Sequence, residues 1–293
     1  MVPTNVPQID ARRASAATAR MSDSSISCRR PLALITGASA GIGAAFARAY
    51  AARGYDLALS ARRVERLEAL ASELSSAHGV DAFAVPADLA EFEAHEGVLA
   101  QVAERGRVVD ALVNNAGFSI AQSFIDVPWV RQRDFLMTLV VNACGLAYGV
   151  VPGMVGRGRG SIINVGSLAA YSPGVAGHSL YPGAKSLSVK WSQSLAAELK
   201  GTGVKVTCVC PGFTLTEFAQ ANGTKAVMDE APRRFFQTAD QVAAITLKAN
   251  DRGQVVVVPG LHNKIAVAVL RSMPEPLLIA ILGRASAKYH LEE

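Results

Sequence analysis

Seven short apolar runs that do not alternate with polar residues, each set off by a longer helical stretch, constrain this 293-residue chain more than any other feature. The runs are Leu32–Thr36, Asp56–Ser60, Ala82–Pro86, Ala111–Asn114, Ser161–Val165, Lys205–Cys210 and Gln254–Val258. Between them lie helical stretches over Ile42–Arg53, Val64–His78, Phe92–Arg105, Trp129–Val155, Ser179–Lys200 and Ala239–Lys248. A strand that is apolar on both sides must be covered on both faces, and helical crossovers make neighbouring strands parallel. The pattern predicts one doubly wound α/β domain over residues 31–260, Rossmann-type, with a seven-stranded parallel sheet and appendages at both ends.

Composition agrees with a folded enzyme-sized core: 50% of residues are apolar and 18% are charged. The net charge is +5, but residues 1–30 hold five Arg against two Asp, so only +2 remains for the rest. A globule so nearly balanced has no electrostatic footprint for nucleic acid, and no such partner is expected. Cys28, Cys144, Cys208 and Cys210 have neither disulfide-scaffold nor metal-ligand spacing, so no metal is expected and a reducing cytoplasm fits. Cys208 and Cys210 share one face of an apolar strand and read as buried small hydrophobes.

Residues 1–30 lack an apolar h-region and so are no secretory signal; they read as a disordered leader or as an overlong start before Met21. The Arg- and Ser-rich, acid-poor composition also resembles an organellar transit peptide. Phe135–Val155 contains no charge and includes Gly145-x-x-x-Gly149, so its length alone would fit a membrane span. Asn142, Pro152 and the glycines within it, and the α/β pattern around it, favour a helix buried in a soluble fold.

A doubly wound sheet binds ligands beyond the carboxyl ends of its strands, so the loops there carry the functional reading. The first strand runs through Thr36-Gly37-Ala38-Ser39-Ala40-Gly41-Ile42-Gly43 straight into a helix. Glycines let that turn approach a pyrophosphate, and the helix N-terminus offers free N–H groups. The second strand ends in Leu59-Ser60-Ala61-Arg62-Arg63, with no acid to bond a ribose 2′-hydroxyl. A guanidinium there suits a 2′-phosphate instead, and Ser39 can add a hydroxyl, so NADP(H) is the expected cofactor with NAD(H) as the lesser choice. Tyr181 and Lys185, four residues apart in a helix, share one face. An ammonium there is expected to lower the tyrosine's pKa and suit it to proton transfer.

Thr-Gly-x-x-x-Gly-x-Gly, Asn114-Asn115-Ala116-Gly117, Ser167 and Tyr181-x-x-x-Lys185, in this order and each after the appropriate strand or in the appropriate helix, resemble the short-chain dehydrogenase/reductase family over residues 31–260. The resemblance implies a catalytic set of Asn142, Ser167, Tyr181 and Lys185. Tyr181 would carry the proton, Ser167 would hold the substrate oxygen, and Asn142 would support Lys185 through a water-linked relay. It implies cofactor contacts from Gly37, Ser39, Ala40, Gly41, Ile42, Gly43 and Arg62. Asp88 and Leu89 would lie at the adenine, although Asp88 could also cap the helix before Phe92. Asn115, Ala116 and Gly117 would flank the adenine ribose, Tyr181 and Lys185 the nicotinamide ribose. Pro211, Gly212, Thr214 and Thr216 would hold the nicotinamide carboxamide.

Ser167 and Tyr181 are fourteen positions apart, slightly long for the family, which puts the substrate mouth's shape in question, and His178 is assigned to that loop. Residues 217–237 are expected to form a substrate lid carrying Phe218, Val227, Met228, Phe235 and Phe236. The tail beyond Gly260 reads as two short apolar helices broken at Met273-Pro274-Glu275-Pro276. It would cover the substrate mouth or meet a subunit partner, touch a membrane surface through residues 261–282, or form a loose tail. A cytoplasmic NADP(H)-dependent carbonyl reductase for an apolar or bulky substrate is expected, as a homodimer or homotetramer. A 3-oxoacyl thioester reductase and a non-catalytic NADP-sensing module are the alternatives.

Overall fold

In the computed structural model, residues 29–174, 176–177, 180–218 and 232–286 are described. Seven strands form one parallel sheet: β1 (Leu32–Thr36), β2 (Asp56–Ala61), β3 (Ala82–Pro86), β4 (Ala111–Asn114), β5 (Gly160–Val165), β6 (Val204–Val209) and, at the edge, β9 (Val256–Val257), in the order β3-β2-β1-β4-β5-β6-β9. Residues alternate sides along each strand. Ala33 and Ile35 therefore enter one core layer, with Phe46, Leu67 and Leu247, while Leu32 and Leu34 enter the other, with Val98, Leu146 and Met154. Both faces are apolar because both are covered, which is why the runs read as unbroken.

Helices α1 (Gly41–Ala51), α2 (Val64–His78) and α7 (Ala239–Asp251) supply the first layer; α3 (Ala94–Glu104), α5 (Asn142–Gly156) and α6 (Tyr181–Glu198) supply the second. The strand order reverses between β1 and β4, so the crevice at their carboxyl ends is the topological switch point.

The expected continuous helix over Trp129–Val155 is interrupted. An α-helix, α4 (Trp129–Leu136), passes through a π-helical turn at Met137–Val141 into α5. The segment Trp129–Gly156 is long and apolar enough to cross a membrane by length and composition. In the fold its small residues serve packing: a Cβ on Gly145 would fall 2.5 Å from the His95 ring, and one on Gly149 2.3 Å from Leu99 Cδ1. The Gly-x-x-x-Gly spacing lets α3 approach α5.

A second, two-stranded sheet was not foreseen. β7 (Thr214–Leu215) pairs in parallel with β8 (Gln237–Thr238), and Thr238 then caps α7 in a capping box with Gln241. This small sheet joins the two ends of the expected lid; Val227 and Met228 lie outside the described residues, as do residues 1–28 and His178. The tail forms α8 (Leu261–Ser272) and α9 (Glu275–Ser286), broken where the prolines stand.

Candidate active site

The glycine turn is locked from two sides. Thr36 Oγ1 donates to Val113 O and accepts from the backbone N–H groups of Asn115 and Ala116 at 2.9 and 3.0 Å. The Asn115 carboxamide donates to Thr36 O and Gly37 O. Gly37 and Gly41 take positive φ values of 64° and 56°, and a Cβ on Gly43 would fall 2.3 Å from Gly37 O. Ala40 precedes α1 without a side-chain cap, and no acid stands in that helix's first turn, with Ile42 following Gly41. The turn therefore offers backbone N–H groups to an anion, in a close packing that side chains at Gly37 and Gly43 would push apart. Thr216 closes one side, its methyl 3.1 Å from where a Gly41 Cβ would stand.

At the end of β2 the structure separates the two arginines. Arg63, the neighbour of the expected Arg62, donates through Nε and Nη2 to Ser39 Oγ at 3.2 and 2.9 Å. Arg62 points towards Asp88, 3.8 Å away, and is largely exposed. Asp88 accepts from the N–H of Ala90 at 3.0 Å, a local turn rather than a cap on α3, which starts at Ala94. Leu89 is buried beneath it. Gly117 lies against Leu139.

The second cluster lies where β5, β6 and α6 meet. Ser167 opens a 3₁₀ turn over Leu168–Tyr171, and its Oγ accepts from the N–H of Ala169 at 3.1 Å. Tyr181 begins α6, directly before Pro182, with the Ser167 side chain beside its hydroxyl. Burial pushes the Tyr181 pKa above its ordinary value, opposed by the Ser167 side chain. The expected lowering by Lys185 is not the direction found. Lys185 Nζ lies over the Tyr181 ring, 5.7 Å from its centre, and donates to Val165 O at 2.8 Å. Burial brings Lys185 itself down to about 8. Pro211 O accepts from the N–H of Leu168 at 3.0 Å, Thr214 Oγ1 donates to Gly212 O, and Gly212 packs against Asn263 of α8.

The Asn142 side chain turns away from this cluster, although its neighbour Ala143 lines the cavity behind Lys185. Its Oδ1 accepts from the N–H and the Nδ1 of His95 at 3.0 and 2.8 Å, and its Nδ2 donates to Leu89 O and Glu91 O, both at 2.9 Å. Those bonds use the carboxamide fully and tie α5 to the loop before α3.

A different asparagine, absent from the expected set, stands behind Lys185. Asn114 Nδ2 donates to Ala143 O and Asn164 Oδ1, while its Oδ1 is buried with no hydrogen-bond partner. Asn114, Lys185, Thr138, Leu139 and Ser188 line a cavity in which about 20 Å³ is open to water, against the roughly 10–15 Å³ that one molecule needs. Strand parity carried the signal: Asn114 is two residues after Leu112, which enters the layer shared with α5. On the other side of Tyr181 a small pocket is lined by Ile120, Phe135 and Leu180 together with Gln122 and Gln132, and the Phe218 ring lies 6.5 Å from that of Tyr181.

The short chain dehydrogenase family profile matches residues 31–226. The chain is 36% identical over 202 residues to sulfoacetaldehyde reductase 2 of Chromohalobacter salexigens, covering 68% of this chain and 79% of that protein. Among solved structures it resembles a short-chain dehydrogenase from Sphingobium yanoikuyae in complex with NADPH, at 31% identity and a TM-score of 0.72, over 84% of this chain and 97% of that one. It also resembles the bulky-bulky ketone specific alcohol dehydrogenase from Comamonas testosteroni, at 27% identity and a TM-score of 0.69, over 84% and 95% of the two chains.

Proposed function

The chain belongs to the short-chain dehydrogenase family, and on that premise we propose that this oxidoreductase reduces a carbonyl to an alcohol, reversibly, with NADP(H) as the cofactor and an apolar or bulky substrate. The observation that carries the reading is the convergence of Ser167, Tyr181 and Lys185 beside a glycine turn built for a phosphate. The NADPH complex of the Sphingobium protein and the absence of an acid at the end of β2 support the cofactor choice. The Phe135 and Phe218 rings packed beside Tyr181, together with the bulky-ketone specificity of the Comamonas protein, support the substrate class.

Gly37, Ala40, Gly41, Ile42 and Gly43 would hold the pyrophosphate, Ser39 with Arg63 the 2′-phosphate, and Lys185 with the 211–216 segment the nicotinamide end. The bound cofactor supplies the hydride. Ser167 Oγ and the Tyr181 hydroxyl stand side by side, so each can turn its one O–H towards the same substrate oxygen. A phenol whose pKa is raised by burial stays protonated at neutral pH and gives its proton to the oxygen as negative charge develops there. Lys185, held over the ring by Val165 O, keeps a positive charge beside the phenol. A water in the cavity behind it would satisfy Asn114 Oδ1 and pass protons to Lys185, the relay role expected of Asn142. Initial rates with NADPH across aliphatic, aromatic and small anionic aldehydes and ketones, and acyl thioesters, test the reading. Turnover is expected with bulky ketones; no turnover of any carbonyl despite NADPH binding would overturn it.

A further inference from the structure

Glu217 leaves β7 at the edge of the glycine turn, and its carboxylate is held by two arginines of the β2–α2 connection. Oε2 lies 3.2 Å from Arg63 Nη1 and 2.8 Å from Arg66 Nη1, and Oε1 lies 3.0 Å from Arg66 Nη1. The remaining nitrogens of Arg63, Nε and Nη2, are on Ser39 Oγ. One residue earlier, Thr216 packs on Gly41. One guanidinium is thus shared between the hydroxyl expected to help bind a 2′-phosphate and a carboxylate carried by the substrate-lid segment. Both arginines hold the Glu217 carboxyl below the usual carboxylate range, so it is charged at neutral pH.

We propose that Glu217 is a cofactor-specificity residue, whose carboxylate competes with the 2′-phosphate of NADP(H) for the Arg63 guanidinium and so narrows the preference for NADP(H) over NAD(H). The inference rests on the reading of Ser39 and Arg63 as the phosphate site. NADPH and NADH differ only in that phosphate, so a competitor for its arginine acts on one and leaves the other alone. Two anions on one guanidinium repel, and Arg63 Nη1 cannot serve both fully. Glu217, Arg63 and Arg66 are each about half exposed, 51%, 45% and 49%. The competition is therefore modest and screened by salt.

Fluorescence titration of wild type and Glu217→Gln with NADPH and with NADH, at low and high salt, tests this. In Glu217→Gln the Kd for NADPH is expected to fall about threefold to tenfold at low salt, with a smaller fall at high salt. The Kd for NADH is expected to move less than about twofold. Arg66→Gln, which leaves the carboxylate to Arg63 alone, is expected to weaken NADPH binding. Unchanged or weaker NADPH binding in Glu217→Gln, or equal shifts for both dinucleotides, would overturn the proposal. Wild type binding NADPH no tighter than NADH would instead overturn the phosphate-site reading, and the proposal with it.

Discussion

Lys185 Nζ lies over the face of the Tyr181 ring, 5.7 Å from its centre, rather than against its hydroxyl. The ammonium therefore acts on the phenol through space, while burial sets the resting protonation of both groups in opposite directions, Tyr181 up and Lys185 down to about 8. For carbonyl reduction both must carry their protons. Tyr181 keeps its proton throughout the neutral range, so Lys185 sets the limit. The kcat/KM for reduction is expected to be level below pH 8 and to fall about tenfold per unit above it. A pH–rate profile with no break near pH 8 would contradict this.

The same burial makes Lys185 costly to the fold. Its folded pKa of about 8 lies below the unfolded value of 10.5, so the unfolded chain holds the proton more tightly and stability is reduced below pH 8. That penalty disappears as pH rises through 10.5. At about 1.4 kcal/mol per unit it amounts to roughly 3 kcal/mol, and losing the bond to Val165 O returns about 1 kcal/mol. Lys185→Met is thus expected to be about 2 kcal/mol more stable than wild type at pH 7, while inactive. Thermal melts at pH 7 and pH 10 check both the gain and its decline.

If the relay runs through Asn114, the two asparagines should respond differently to substitution. Asn142→Ala strips partners from Leu89 O, Glu91 O and the N–H of His95, and should cost about 3 kcal/mol of stability with kcat changed only a few-fold. Asn114→Ala removes the orphaned acceptor behind Lys185, and should lower kcat by at least about tenfold with the reductive pH profile displaced. Chemical denaturation and steady-state kinetics on both variants separate the roles; the reverse pattern would restore Asn142 to the relay.

Strand positions were legible because parity and length leave little choice: Leu32–Thr36 and Ala111–Asn114 are strands over the residues expected. The order of motifs likewise led to the Ser167–Tyr181–Lys185 cluster. Asn142 was not legible, because helix phase decides which way it points. The π turn at Met137–Val141 spends about one extra residue and rotates everything after it by roughly 100°. Nor could spacing choose between Arg62 and Arg63, since adjacent residues at a strand's end diverge and only the packing of α2 sets which one meets Ser39. The β7–β8 pair was hidden because two-residue strands carry no periodicity.

That difference between the arginines has a kinetic consequence. Arg63→Ala removes both bonds to Ser39 Oγ and should raise the KM for NADPH about tenfold or more, with little change for NADH. Arg62→Ala, beside Asp88, should raise it by a smaller factor. Comparison of kcat/KM for the two dinucleotides in each variant checks the order; a larger loss in Arg62→Ala would return the phosphate to that residue.

At the centre of the mechanism, the Tyr181 hydroxyl, beside Ser167, delivers the proton to the substrate oxygen. Its most direct test is Tyr181→Phe, measured for NADPH binding by fluorescence and for turnover on a ketone that wild type reduces. The expected result is a Kd within about twofold of wild type and a kcat lower by about 10²- to 10⁴-fold. A kcat close to wild type would contradict it.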